Sequence, residues 1–149
     1  MADAQPGELT LRRTNEFEKI RALAVISGLE DGPFEFIVEA FGVYRGSELV
    51  GCAALKVDGP RHAVEWLAVK DGLRLKGLGT KLVNEIEMTA RKRGATRLWA
   101  LARAPAFFRR IGFSGAPEDD PERPPMASCM VCKQYGKTCH PEMMVKPLR

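Results

Sequence analysis

The residues best suited to chemistry lie in one run, Arg74-Leu75-Lys76-Gly77-Leu78-Gly79-Thr80-Lys81. It joins an apolar, strand-like segment to a long amphipathic stretch. A turn of this kind presents unpaired backbone N–H groups at a helix N-terminus, where the helix dipole also favours an anion. Glycine at 77 and 79 lets the backbone approach a ligand closely. Arg74, Lys76 and Lys81 surround the turn with positive charge. A pyrophosphate meets all of these features. Two other phosphate motifs do not fit. The dinucleotide fingerprint needs a small residue three positions after Gly79, where Leu82 stands. The P-loop needs Gly-Lys-Ser/Thr after its four-residue spacing, and the sequence has none. Taken alone, the turn also reads as a glycine-rich bend with solvated charges.

A second cluster is Cys129-x2-Cys132-x6-Cys139-His140. Three thiols and an imidazole are ligands of structural zinc. Cys139 and His140 are adjacent, however, which hinders simultaneous tetrahedral ligation, and a zinc ribbon carries a second spaced pair. The cluster is therefore read as a packing or redox-labile loop, with no metal assigned. Cys52 is expected in the core as a small hydrophobe. His62 is expected at the surface.

The length of 149 residues fits one domain spanning 1–149, with a core over about 8–114 and a loop, cysteine segment and last strand over 115–149. A hydrophobic share of 45% with 28% charged residues excludes disorder. A net charge of +4 suits an anionic ligand but falls short of a nucleic-acid binder. No stretch approaches the roughly 20 apolar residues of a membrane span. Met1 to Leu11 lacks the apolar run of a signal peptide. The expectation is a cytoplasmic protein with reduced thiols.

The elements that must position these residues follow from periodicity and breakers. Leu9 to Arg12 reads as a strand. Thr14 offers an N-cap to a helix whose face is Phe17, Ile20, Leu23, Ala24 and Ile26, ended by Gly28. Phe34 to Glu39 reads as a short second helix. Strands Ala40 to Arg45 and Glu48 to Lys56 flank a Gly46-Ser47 hairpin. Gly51-Cys52-Ala53-Ala54-Leu55 is small and apolar, which suggests burial on both faces. After the break at Asp58-Gly59-Pro60, Ala63 to Val69 is a strand. Simple alternation puts Glu65, Leu67 and Val69 on one face and Trp66 and Ala68 on the other. Leu78, Leu82, Ile86 and Ala90 mark a long helix stopped at Gly94. Leu98 to Ala102 is a strand, Ala106 to Arg110 a short helix ended by Gly112, and Glu142 to Lys146 a last strand. The order β-α-(α)-β-β-β-α-β-α-β predicts an α/β (α+β) fold, a mixed sheet carrying helices.

Arg-x-x-Gly-x-Gly behind the strand Val64-Glu65-Trp66-Leu67-Ala68-Val69 resembles the acetyl-CoA signature of the GNAT family of N-acetyltransferases. Phe107-Phe108-Arg109-Arg110-Ile111-Gly112-Phe113 is similar to that family's later motif. The resemblance covers about residues 8–114. Within the family, Gly51 to Leu55 and Leu101-Ala102-Arg103-Ala104 with Phe107-Phe108 look most like stand-alone amino-acid N-acetyltransferases similar to N-acetylglutamate synthase. The cysteine segment with Met143-Met144-Val145 is similar to tails of some short members.

The resemblance implies a mostly antiparallel central sheet flanked by helices and splayed where acetyl-CoA, the cosubstrate, wedges in. Leu67, Ala68 and Val69 would line the pantetheine arm. The amides of Leu75, Lys76, Gly77, Leu78, Gly79 and Thr80, with Arg74, would hold the pyrophosphate. Phe107, Phe108 and Arg110 would flank the cofactor. Glu65 would be the base that deprotonates the attacking amine, directly or through a water; the alternative is a glutamate paired with a neighbouring arginine. Arg103 would hold a substrate α-carboxylate, or else lie on the surface beside the cofactor phosphates. Many members carry a tyrosine as general acid where Phe108 stands, and phenylalanine cannot donate a proton. Tyr44 and Tyr135 are the other candidates.

These implications lead to an acetyl-CoA-dependent N-acetyltransferase acting on a small-molecule amine, with an amino acid such as glutamate as the expected acceptor. Nucleic acid and membrane are not expected partners, and a homodimer is compatible with the family. The alternative is a non-catalytic GNAT-fold acyl-CoA binding module, for which Phe108 speaks. A third reading is a metal-dependent interaction domain centred on the cysteine segment.

Overall fold

The computed structural model describes residues 8–29, 35–73, 77–124 and 141–148. Their elements are β1 (Leu9–Arg13), α1 (Phe17–Ile26), β2 (Ile37–Arg45), β3 (Glu48–Asp58), β4 (Arg61–Val69), α2 (Leu78–Lys92), β5 (Arg97–Ala102), α3 (Pro105–Arg110), β6 (Ser114–Gly115) and β7 (Glu142–Pro147). Seven strands form one sheet in the order β1-β2-β3-β4-β5-β7-β6. All neighbours run antiparallel except β4 and β5, which are parallel. The fold is thus the mixed α/β sheet that the element order predicts, mostly antiparallel as the family resemblance implies.

Local chemistry explains the connections. Two-residue hairpin loops need positive φ, and Gly46 (φ +62°) and Gly59 (φ +60°) supply it between β2 and β3 and between β3 and β4. Parallel strands cannot be joined by a hairpin, so β4 reaches β5 through α2. That helix ends at Gly94, whose φ of +85° is the left-handed stop.

The sheet is covered on both faces. Leu78, Leu82, Val83, Ile86 and Ala90 of α2 pack on one face against Val43, Ala53, Leu55 and Leu98. Ile20, Leu23 and Ala24 of α1 pack on the other against Ala40, Tyr44, Cys52 and Ala54. Alternate residues of Gly51 to Leu55 therefore serve opposite layers, and their small size lets both helices approach. Cys52 is fully buried, as its composition suggests.

Four sequence expectations change. Glu16, not Thr14, is the N-cap of α1; the Thr14 hydroxyl instead accepts the Glu16 amide at 3.2 Å, ahead of the helix. No helix occupies residues 37–39. Ile37 and Glu39 are already paired with Lys56 and Leu55, and β-branched Ile37 and Val38 favour the strand; Phe34 lies outside the described residues. His62 is buried rather than solvated. It stands opposite Val57 on the α2 face of β4, with Nδ1 3.3 Å from the Pro60 carbonyl. Ser114-Gly115, read as the onset of a loop, adds a short strand to β7.

The chain after β6 is tied back by Arg97. Its guanidinium stacks over Trp99 at 4.7 Å and bonds Asp120 at 2.5 Å as well as Glu122. Arg97, then the Glu122 amide, hold the Asp120 carboxyl below its ordinary range. A carboxylate lowered by folding contributes stability above its usual value of about 3.9 and loses it as pH falls through the lowered one. Asp120→Asn should therefore lower the thermal midpoint at neutral pH. The gap from the native protein should close in acid, as melts across a pH series would record.

Candidate active site

The site is organised by an irregularity in β4. Ala54 pairs with Glu65 and Cys52 with Ala68, so Trp66 and Leu67 together oppose the single residue Ala53. This is a β-bulge, and Trp66 within it has φ +50°. Such a backbone costs a bulky L-residue about 1–3 kcal/mol. Burial outweighs that cost. Trp66 is 4% exposed, and a buried aromatic of about 150–250 Å² is worth roughly 4–6 kcal/mol at about 25 cal/mol per Å².

The extra residue resets the alternation of side chains. Glu65, opposite Ala54, lies on the α1 face, as do Trp66 and Ala68, while Leu67 and Val69 join the α2 layer. Glu65 thus does not share a face with Leu67 and Val69, contrary to simple alternation. No sequence signal marks this bulge, because a left-handed position is ordinarily announced by glycine or asparagine.

Just before the bulge, β4 parts from β5. The two strands pair at Ala63↔Trp99 and Val64↔Ala100, and the register goes no further, although β4 continues to Val69 and β5 to Ala102. The sheet is open there, as the splayed arrangement requires. Backbone groups of the second half of β4 border the gap.

The start of α2 follows β4 on the α2 side. Gly77, at φ +72°, is its N-cap, and no side chain caps it. Lys81 N–H makes a bond to the Gly77 carbonyl at 3.2 Å. The amides of Leu78, Gly79 and Thr80 precede that first helical bond among the described residues, at the end of the helix where backbone donors point outward. No acidic residue stands in this first turn. Arg74, Leu75 and Lys76 lie outside the described residues. Gly79 has a reason to be glycine that the sequence did not disclose: an added Cβ would stand 3.2 Å from Cζ of Phe107. The two motif segments, about thirty residues apart in the sequence, therefore meet in the fold.

Phe107 is half-buried, whereas Phe108 is buried edge-on between Phe107 and Phe113, each centroid 5.1 Å away. Arg110 is exposed at the end of α3, beside Arg109, which bonds Glu142 at 2.7 Å. Arg103 is exposed and donates to the Gly28 carbonyl after α1. Glu65 is 38% exposed in its side chain, with Lys56 Nζ at 3.9 Å. The Tyr44 hydroxyl lies 2.6 Å from Glu16 Oε1 and 2.9 Å from Thr14 Oγ1, and burial, then the Glu16 bond, raises its pKa. That proton is committed to Glu16, away from the gap. Tyr135, Cys129, Cys132, Cys139 and His140 lie outside the described residues.

Residues 8–113 match the family model for the acetyltransferase (GNAT) family. The chain belongs to that family. Enzymes of this family are N-acetyltransferases that use acetyl-CoA. N-acetylglutamate synthase from Neisseria gonorrhoeae, solved with coenzyme A and N-acetyl-glutamate, is similar at 25% identity and a TM-score of 0.72. That match covers 95% of this chain and 35% of the synthase, so the chain spans about a third of that protein's length. A GNAT acetyltransferase from Staphylococcus aureus has a TM-score of 0.72 at 14% identity, covering 95% of this chain and 100% of its own. The ribosomal-protein-S18-alanine N-acetyltransferase of Escherichia coli has a TM-score of 0.66 at 16% identity, covering 95% and 94%. These two likenesses concern the fold. No curated protein sequence matches the chain. Among the described residues, no helix is long and apolar enough to cross a membrane.

The left-handed bulge makes a prediction that ordinary strands would reverse. Trp66→Ala should destabilise the acetyltransferase by about 3–5 kcal/mol through lost burial. Trp66→Gly should be no less stable than Trp66→Ala, because glycine takes positive φ without cost. Chemical denaturation of the two variants compares them directly.

Proposed function

We propose that this acetyltransferase transfers the acetyl group to the amino group of a small molecule, an α-amino acid such as glutamate. The observation that carries the reading is the gap between β4 and β5, bordered by the bulged strand and ending at the uncapped start of α2. The synthase solved with N-acetyl-glutamate, at 25% identity over 95% of this chain, supports the choice of acceptor.

In this reading the pantetheine arm lies along the backbone of Leu67, Ala68 and Val69. The pyrophosphate sits on the amides from Leu75 to Thr80, where the helix dipole and the charges of Arg74 and Lys76 favour it. Phe107 closes the mouth against Gly79, Phe108 backs Phe107 from the core, and Arg110 reaches the cofactor from the end of α3. Arg103 holds the acceptor's α-carboxylate, a task for which a planar guanidinium is fitted.

The acceptor amine is mostly protonated near neutral pH and must lose a proton to attack. Glu65 takes it, through a water. Its place on the α1 face supports this role, since the amine then enters from the side opposite α2 and the cofactor's phosphates. The nitrogen lone pair forms the C–N bond, the C–S bond breaks, and its electrons go to sulfur. A thiolate with a pKa near 8.5 leaves tolerably without a dedicated acid and takes its proton from water. That fits a site with Phe108 at the tyrosine position and with Tyr44 engaged by Glu16.

Thiol release from acetyl-CoA, measured across free amino acids, simple amines and a peptide with a free N-terminus, tests the acceptor class. Turnover should be highest for amino acids bearing a free α-carboxylate. Fast turnover of only the peptide or only carboxylate-free amines would overturn it. Glu65→Gln should lower turnover by about 10²–10⁴-fold at neutral pH, the usual range for a general base. Its acetyl-CoA affinity should stay near native, and the defect should shrink as rising pH supplies free amine.

A further inference from the structure

Cys52 is a buried thiol with no part in the acyl transfer described above. It stands opposite Ala68, at the first regular pair beyond the bulge. Its Sγ donates to the carbonyl of Trp66 at 3.2 Å, with the Ile20 carbonyl farther off at 3.8 Å. The bulge interrupts the regular ladder at this point, and the thiol bond falls on the backbone of its left-handed residue. Burial pushes the thiol's pKa up to about 12, against the lesser pull of the Ala68 backbone. The proton is therefore on sulfur at neutral pH.

We infer that Cys52 is a positioning residue for acyl transfer: its thiol, bonded to the Trp66 carbonyl, fixes the bulge and so sets where the Leu67–Val69 backbone meets the acyl thioester. The inference rests on the acyl-site reading given above. Alanine at this position keeps the small size but has no donor. Serine keeps a donor but buries a more polar group. Stability and catalysis therefore respond differently to the two replacements, which a purely space-filling role would not produce.

The test compares Cys52→Ala and Cys52→Ser in thiol release from acetyl-CoA with L-glutamate, or with whichever amino acid turns over fastest. Cys52→Ala should lower kcat by about three- to tenfold, the worth of one net hydrogen bond. Its KM for acetyl-CoA should stay within about twofold, because a single positioning bond acts chiefly on the reacting geometry. Cys52→Ser should keep kcat within about twofold of native even where it melts no higher than Cys52→Ala. A folded Cys52→Ala enzyme with native kcat, or a Cys52→Ser enzyme as slow as Cys52→Ala, would overturn the inference. Glu65→Gln, run alongside, separates the two levels: if it alone loses turnover, only the role of Cys52 fails, and if it too is native, the acyl-site reading fails with it. An infrared difference spectrum of native against Cys52→Ser supplies a readout independent of turnover. The S–H band lost should lie below that of an exposed thiol, and a band at the exposed-thiol position would contradict the bond.

Discussion

The left-handed backbone of Trp66 is the constraint on which the rest of the site depends. A regular β4 would have no extra residue just beyond Val64, where its pairing with β5 ends. It would also carry Glu65 on the same face as Leu67 and Val69. With the bulge in place, Glu65 stands with the α1 layer and Leu67 and Val69 with the α2 layer. The conformation is unfavourable in itself and persists because the surroundings over-determine it. An indole 4% exposed and a thiol bond to its carbonyl act on the same residue.

The two helical layers then divide the work. On one side, α2 brings an uncapped N-terminus to the end of the gap, held there by its buried stripe of Leu78, Leu82, Ile86 and Ala90. Phe107 against Gly79 couples α3 to that terminus, and Phe108, itself edge-on to Phe113, meets Phe107 in an edge contact. On the other side, α1 ends at Gly28, whose carbonyl receives Arg103 from beyond β5. In the function proposed above, donor and acceptor bind on opposite faces of one sheet and meet where β4 is irregular.

Much of this was legible in the sequence. Apolar spacing marked α2, Gly46-Ser47 marked one hairpin and Asp58-Gly59-Pro60 the next break, and the two glycine- and phenylalanine-bearing motifs pointed to the family that residues 8–113 match. What escaped had physical reasons. Phe34 to Glu39 looked helical because short apolar runs do not declare their period, and pairing with β3 decided Ile37 and Glu39. His62 looked solvated because its type is polar, while its position opposite Val57 faces the core. The bulge was invisible because nothing in Glu65-Trp66-Leu67 departs from alternation; only the register with Cys52 and Ala54 reveals it. That a side chain at Gly79 would meet the Phe107 ring is likewise a long-range fact that the sequence does not disclose.

The central claim is that acetyl-CoA enters between β4 and β5 at the bulge, with its phosphates on α2. Amide hydrogen exchange with and without coenzyme A tests it most directly. The account predicts slowed exchange at Leu78, Gly79 and Thr80 and along Leu67 to Val69, with smaller changes in β1, β2 and β7. Protection confined to other segments, with Leu67–Val69 and the start of α2 unchanged under saturating coenzyme A, would contradict it.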